Sequence, residues 1–218
     1  MSLVELVNNN RTNKNIYYSF LSLYDNFFYE KQETATDILE IGVGGFNIYN
    51  KNIQWGGGGG VLLWRDYFKN AKIHGIELLD EEYISSVVKN DERIILYPST
   101  DGYDNEKFTS NFLEKDIKFD IVIADARHSL ANMVAFIKLY SQVLKDDGIL
   151  IIENVQHNTW FDILFYETPD NLKKFIKFYD LTPHKNTYDN KVFMIKKIAE
   201  SQSSIPSPQS ISPQNAES

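Results

Sequence analysis

The stretch Asp37-Ile38-Leu39-Glu40-Ile41-Gly42-Val43-Gly44-Gly45 constrains this chain more than any other. Its first five residues, an apolar run with one internal carboxylate, predict a short buried strand. The glycines that follow carry no Cβ, so the backbone can turn tightly and approach a ligand closely. In doubly wound α/β proteins, ligands bind where such strands run into their turns, beyond the carboxyl ends of a parallel sheet. Glu40, two residues before Gly42, is placed to hydrogen-bond the polar part of a ligand resting on that turn.

The pattern on either side predicts alternating strands and helices, hence a mostly parallel seven-stranded sheet with helices on both faces. Residues 1–13 read as a short helix or loose lead-in. Residues 15–30 carry aromatics at helical spacing and predict a helix that caps the sheet or a pocket mouth, with Tyr17 and Tyr18 as lid candidates. A linker, 46–55, leads into five glycines, Gly56 to Gly60, and a crossover helix over 61–69. Five glycines cannot sit inside a stable helix, each costing about 1 kcal/mol against Ala. At a helix mouth, their bare amides can approach a carboxylate at the positive end of the dipole. No Lys-Ser or Lys-Thr follows them, which excludes a phosphate-binding P-loop.

Further strands are predicted over 72–77, 93–97, 119–124, 148–152 and 190–196, the last as an antiparallel edge. Helices are predicted over 81–89, 105–114, 130–144 and 170–178. Residues 201–218, rich in Ser, Pro and Gln, are too poor in apolar residues to fold and predict a disordered tail. The expected organisation is one domain over 1–200, with a helical cap at about 1–30, followed by that tail.

Net charge excludes one class of partner. At −8, the chain lacks the basic balance of a binder of nucleic-acid phosphates. With no cysteine, thiolate nucleophiles, thiolate metal sites and disulfides are all excluded. The sequence offers no run of eighteen or so apolar residues for a membrane span and no signal-peptide core. A cytoplasmic location follows as the expectation.

Acids fall at or just past three strand ends: Glu77, Asp125 and Glu153. Glu77 suits ribose hydroxyls if a nucleoside lies on the glycine turn. A dinucleotide site would place that acid about 20 residues after its glycines and keep a third glycine. Here the acid comes later and position 47 is Asn. If the fourth and fifth strands are neighbours, Asp125 and Glu153 end about 4.8 Å apart. Carboxylates that close need a shared proton or a cation between them. Oxygen ligands without Cys select a hard ion, Mg²⁺ first and Mn²⁺ or Ca²⁺ next, with Asn154 offering a third oxygen. His128, three residues past Asp125, has a reference pKa near 6.5 and suits proton abstraction.

The motif Glu40-x-Gly42-x-Gly44 resembles motif I of the class I S-adenosylmethionine-dependent methyltransferases. Within that class, the chain is similar to the metal-dependent sugar O-methyltransferases of the macrocin and mycinamicin type, over roughly residues 11–197. Glu40 to Phe46 with Leu63-Trp64-Arg65 resembles that family's cofactor loop. Asp125-Ala126-Arg127-His128 stands where the family has Asp-Gly-Ser-His, and Ile152-Glu153-Asn154-Val155-Gln156 where it has Ile-Glu-Asp-Leu-Gln. Ala126-Arg127 and Asn154 are departures that add bulk and charge and remove one acid.

The resemblance implies S-adenosylmethionine held by Glu40, Gly42, Gly44, Gly60, Glu77, Thr100 and Asp101. It implies Mg²⁺ held by Asp125, Glu153 and Asn154, and His128 as the catalytic base. The implied activity is O-methylation of a sugar or nucleotide-sugar hydroxyl, with no nucleic-acid or membrane partner and with homo-oligomerisation left open. A catechol-like acceptor and a non-catalytic cofactor-binding subunit are the alternatives. A related branch, similar to the cephalosporin hydroxylase component, keeps the same fold and acids.

Overall fold

The computed structural model describes residues 1–44 and 57–198. Gly45, the linker 46–55, Gly56 and the tail 201–218 lie outside the described residues. Helices α1 (Leu3–Leu6) and α2 (Phe20–Phe28) precede strand β1 (Asp37–Ile41). Then follow α3 (Gly59–Tyr67), β2 (Lys72–Ile76), α4 (Ser86–Lys89), β3 (Ile94–Tyr97), α5 (Asn105–Phe108), β4 (Phe119–Ala124) and α6 (Leu130–Tyr140). The chain continues through β5 (Leu144–Ile152), α7 (Asn158–Glu167), α8 (Asp170–Lys173), β6 (Ile176–Asp180), α9 (Thr182–Lys185) and β7 (Lys191–Lys196).

The strands form one sheet in the order β3-β2-β1-β4-β5-β7-β6. The first five are parallel, and β7 runs antiparallel to both β5 and β6. Strands covered on both faces read as apolar runs, and the alternation within them assigns each residue to a layer. Ile38, Ile121, Ile123, Ile149 and Ile151 join a core with Phe20, Tyr24 and Trp64 on one face. Leu39, Ile41, Val122, Leu150 and Ile152 join a second core with Phe136 and Tyr140 on the other. Each such side chain contributes about 1.5–3 kcal/mol on burial. Glu40 shares a face with Ile38, which turns its carboxylate toward Trp64 of α3, 3.1 Å away at Nε1.

Several predicted elements are corrected. Helix 15–30 is confined to Phe20–Phe28, because residues 10–17 take turns. The crossover helix begins two residues early, at Gly59, with the left-handed Gly58 as its cap. Helix 81–89 is a single 3₁₀ turn and the short α4. Helix 105–114 is split into α5 and a π-turn, Thr109–Leu113. Helix 130–144 ends at Tyr140, and β5 begins at Leu144 rather than at 148. The helix predicted over 170–178 is confined to α8 (Asp170–Lys173), its last residues 176–178 open strand β6, and β6 rather than β7 is the antiparallel edge. Helix α7 was not predicted. Among the described residues, no helix is long and apolar enough to cross a membrane.

Candidate active site

At the carboxyl end of the sheet lies a cavity of about 360 Å³, within the range of small-molecule sites. All seven residues expected to hold a cofactor line it: Glu40, Gly42, Gly44, Gly60, Glu77, Thr100 and Asp101. Backbone constraints explain the glycines. Gly42 has φ +95°, and a Cβ there would stand 2.1 Å from the Asp125 carbonyl oxygen. The turn after β1 is thus pressed against the end of β4, where the Asp125 amide donates to Ile41 O at 2.9 Å. Gly60 is bare for another reason, since a Cβ would stand 2.3 Å from Glu40 Oε2.

Glu77 holds the turn itself. Its Oε2 accepts from the Gly44 amide at 2.8 Å, and its Oε1 from the Leu79 amide at 3.0 Å. Thr100 and Asp101 line the cavity beside it. The Thr100 amide donates to Glu77 O at 2.9 Å, and Asp101 accepts from the Tyr103 amide at 3.0 Å and faces Arg127 Nη1 at 3.5 Å.

Asp125 and Glu153 stand one residue past the paired Ala124 and Ile152 of β4 and β5. The pairing brings the two carboxylates onto a shared cation, and that cation is the Lys14 ammonium. Lys14 Nζ donates to Asp125 Oδ2 and Glu153 Oε2, both at 2.6 Å, and lies 3.2 Å from Glu40 Oε1. The Lys14 and Glu153 side chains are each 1 % exposed. Burial opposes the charge on Lys14, but Asp125, Glu153 and Glu40 together hold its pKa well above the ordinary lysine value. Three acids around one ammonium leave an excess of negative charge. Burial pushes Glu40 up to about 7 and Glu153 up to about 8, with Lys14 opposing and Asp125 reinforcing both shifts. Tyr24 OH donates to the other Glu153 oxygen, Oε1, at 2.8 Å. Burial, reinforced by Glu153, keeps that phenol protonated.

Asn154 takes a left-handed φ of +58°, uncommon for a residue with a Cβ. Its Nδ2 faces Asp189 Oδ2 at 3.3 Å, and Tyr18 OH donates to the same oxygen at 3.3 Å. Asp189 Oδ1 is buried without a hydrogen-bond partner. His128 is half-buried in the loop before α6. Burial lowers its pKa from 6.5, against the pull of Asp125 and Asp189. Asp125 is on the cavity wall, whereas His128, Glu153 and Asn154 are not among its lining residues.

The residue types at Asp125, Glu153 and Asn154 fit a hard divalent ion, being oxygen donors only. As folded, Asp125 Oδ2 and Glu153 Oε2 serve Lys14 while the Asn154 amide faces Asp189, and among the described residues no group of three or more His, Cys, Asp or Glu is arranged to hold a metal. Sequence reasoning missed Lys14, Tyr24 and Asp189. Lys14 lies in an Asn-rich lead-in whose pattern gave no sign of burial, and Tyr24 read as one more aromatic of a packing helix.

This seven-stranded, mostly parallel sheet with helices has the fold of the class I, Rossmann-like methyltransferases. No family model matches the chain. Among curated proteins, it is similar to the mycinamicin VI 2''-O-methyltransferase of Micromonospora griseorubida, 30 % identical over 142 residues, or 65 % of this chain and 32 % of the relative. It is also similar to the L-olivosyl-oleandolide 3-O-methyltransferase of Streptomyces antibioticus, 25 % identical over 141 residues, or 65 % of this chain and 33 % of the relative. The chain thus spans about a third of the length of the curated relatives it matches. Among solved structures, MycE methyltransferase of the mycinamycin pathway, in complex with Mg and SAH, superposes with a TM-score of 0.68 at 20 % identity, covering 97 % of this chain and 58 % of that one. A putative caffeoyl-CoA O-methyltransferase from Staphylococcus aureus gives 0.51 at 15 % identity, covering 80 % and 81 %.

Proposed function

We propose that this chain is a cytoplasmic, S-adenosylmethionine-dependent O-methyltransferase that acts, with Mg²⁺, on a hydroxyl of a sugar, nucleotide sugar or glycosylated small molecule. The observation that carries the reading is the cavity in which the glycine turn, Glu77, Thr100 and Asp101 meet Asp125. The sequence similarity to macrolide sugar O-methyltransferases supports the choice of acceptor.

Gly42 and Gly44 bring bare backbone against the cofactor, and Glu77, already fixed by two amides, accepts from ribose hydroxyls. The cofactor, when bound, supplies an electrophilic sulfonium methyl. Asp125, Glu153 and Asn154 are the residues that would hold Mg²⁺, which supplies Lewis acidity toward an acceptor hydroxyl. His128 removes the hydroxyl proton onto a ring nitrogen, and burial, which lowers its pKa below 6.5, leaves the ring neutral and able to accept at pH 7. Much of the acceleration comes from holding two reactants in line, a term worth up to about 7–11 kcal/mol.

The test is mass spectrometry of nucleotide sugars and glycosides incubated with cofactor, with and without EDTA. The reading expects a product heavier by one methylene that is lost with chelator. No methylated product from any sugar-bearing acceptor counts against it.

A further inference from the structure

Lys14 is the group that the mechanism above does not use, and it sits at the centre of the acids that the mechanism needs. Its ammonium bridges the ends of three adjacent strands, at Glu40 in β1, Asp125 after β4 and Glu153 after β5. An ion held by Asp125 and Glu153 at about 2.0–2.1 Å from each oxygen would share the space between Asp125 Oδ2 and Glu153 Oε2 with an ammonium 2.6 Å from both. Two cations cannot occupy that gap together. The second oxygen of Glu153 is engaged as well, accepting from Tyr24 OH.

We propose that the Lys14 ammonium and a divalent cation are alternative occupants of one seat between Asp125 and Glu153, so that Lys14 must leave before a metal enters. The inference rests on the metal-assisted reading above and adds a competitor built into the chain. With no metal present, Lys14 neutralises acids that would otherwise repel one another in a buried site. Its way out is through the cavity. Lys14 itself and the preceding Arg11, Thr12 and Asn13 line the cavity. The lead-in between α1 and α2 is built of turns, which can shift without breaking a helix or strand.

The competition is read by titrating Mn²⁺ into the wild-type chain, Lys14→Met and the double variant Lys14→Met/Glu153→Gln, following free Mn²⁺ by electron paramagnetic resonance. Loss of the ammonium should tighten Mn²⁺ binding by about tenfold or more, and the added Glu153→Gln should remove that gain. Equal affinity in wild type and Lys14→Met, or no binding in either, overturns the proposal.

A second measurement needs no variant. Amine-selective labelling of the wild-type chain, mapped by mass spectrometry, should show Lys14 protected without metal and labelled several-fold faster with saturating Mg²⁺. Protection unchanged by Mg²⁺ overturns the proposal. A chain that methylates no sugar, yet binds Mn²⁺ more tightly once Lys14 is removed, loses the transferase reading and keeps this one.

Discussion

Asn154 and Asp189 face each other across the junction of β5 and β7, with Asn154 Nδ2 3.3 Å from Asp189 Oδ2. The amide at position 154 is therefore matched to a buried acid opposite it. An acid at 154 would put two carboxylates in contact without a cation between them. Asn154→Asp should lower stability by about 1–3 kcal/mol in urea unfolding. Asp189→Asn in the same chain should restore part of the loss, since the two sites are in contact and couple. Additive effects of the two substitutions would remove the pairing from the account.

His128 makes a prediction about pH. Its folded-state pKa lies below 6.5 because burial disfavours the imidazolium. A proton acceptor works in its neutral form, so kcat/KM should be flat around pH 7 and fall as the pH drops through a value below 6.5. His128→Ala should cost about 10²–10⁴ in rate, abolish that acid limb and leave cofactor affinity nearly unchanged. Full activity in the variant would take the base out of the scheme.

Gly42 tests how the turn is held. An alanine would set a Cβ 2.1 Å from the Asp125 carbonyl oxygen at a φ of +95°, and strain at a left-handed residue alone costs about 1–3 kcal/mol. Gly42→Ala should lower the midpoint of thermal unfolding and displace Asp125, so cofactor and metal affinities should both fall. A variant as stable as wild type, with both affinities kept, would show that the turn is not pinned to β4.

Buried parallel strands were the most legible part of the sequence. The limits of β1 and β4 coincide with their largely apolar runs, each broken by a buried carboxylate, Glu40 or Asp120, because strands covered on both faces are built mostly of apolar residues. Strand β6 was misread because Ile176 to Asp180 is an edge with mostly exposed side chains, so neither strand alternation nor a core-facing stripe marks it. The glycine turn and the ends of β4 and β5 were legible for a topological reason, since a parallel sheet gathers its carboxyl ends on one side. Lys14 was not legible. Its partners Asp125 and Glu153 lie 111 and 139 residues away in sequence, and only the folded chain brings a lysine from a turn-rich lead-in to the acids. The need for a cation between those acids could be inferred from spacing, but the Lys14 ammonium that meets it in the fold could not.

The central claim is that the cavity on the Gly42–Gly44 turn holds S-adenosylmethionine, and isothermal calorimetry measures this most directly. Titration into the wild-type chain should give one-site binding, weakened about tenfold or more in Glu77→Gln, which loses the carboxylate assigned to the ribose hydroxyls. The absence of binding to the folded wild-type chain, or an affinity that Glu77→Gln leaves unchanged, would contradict the account.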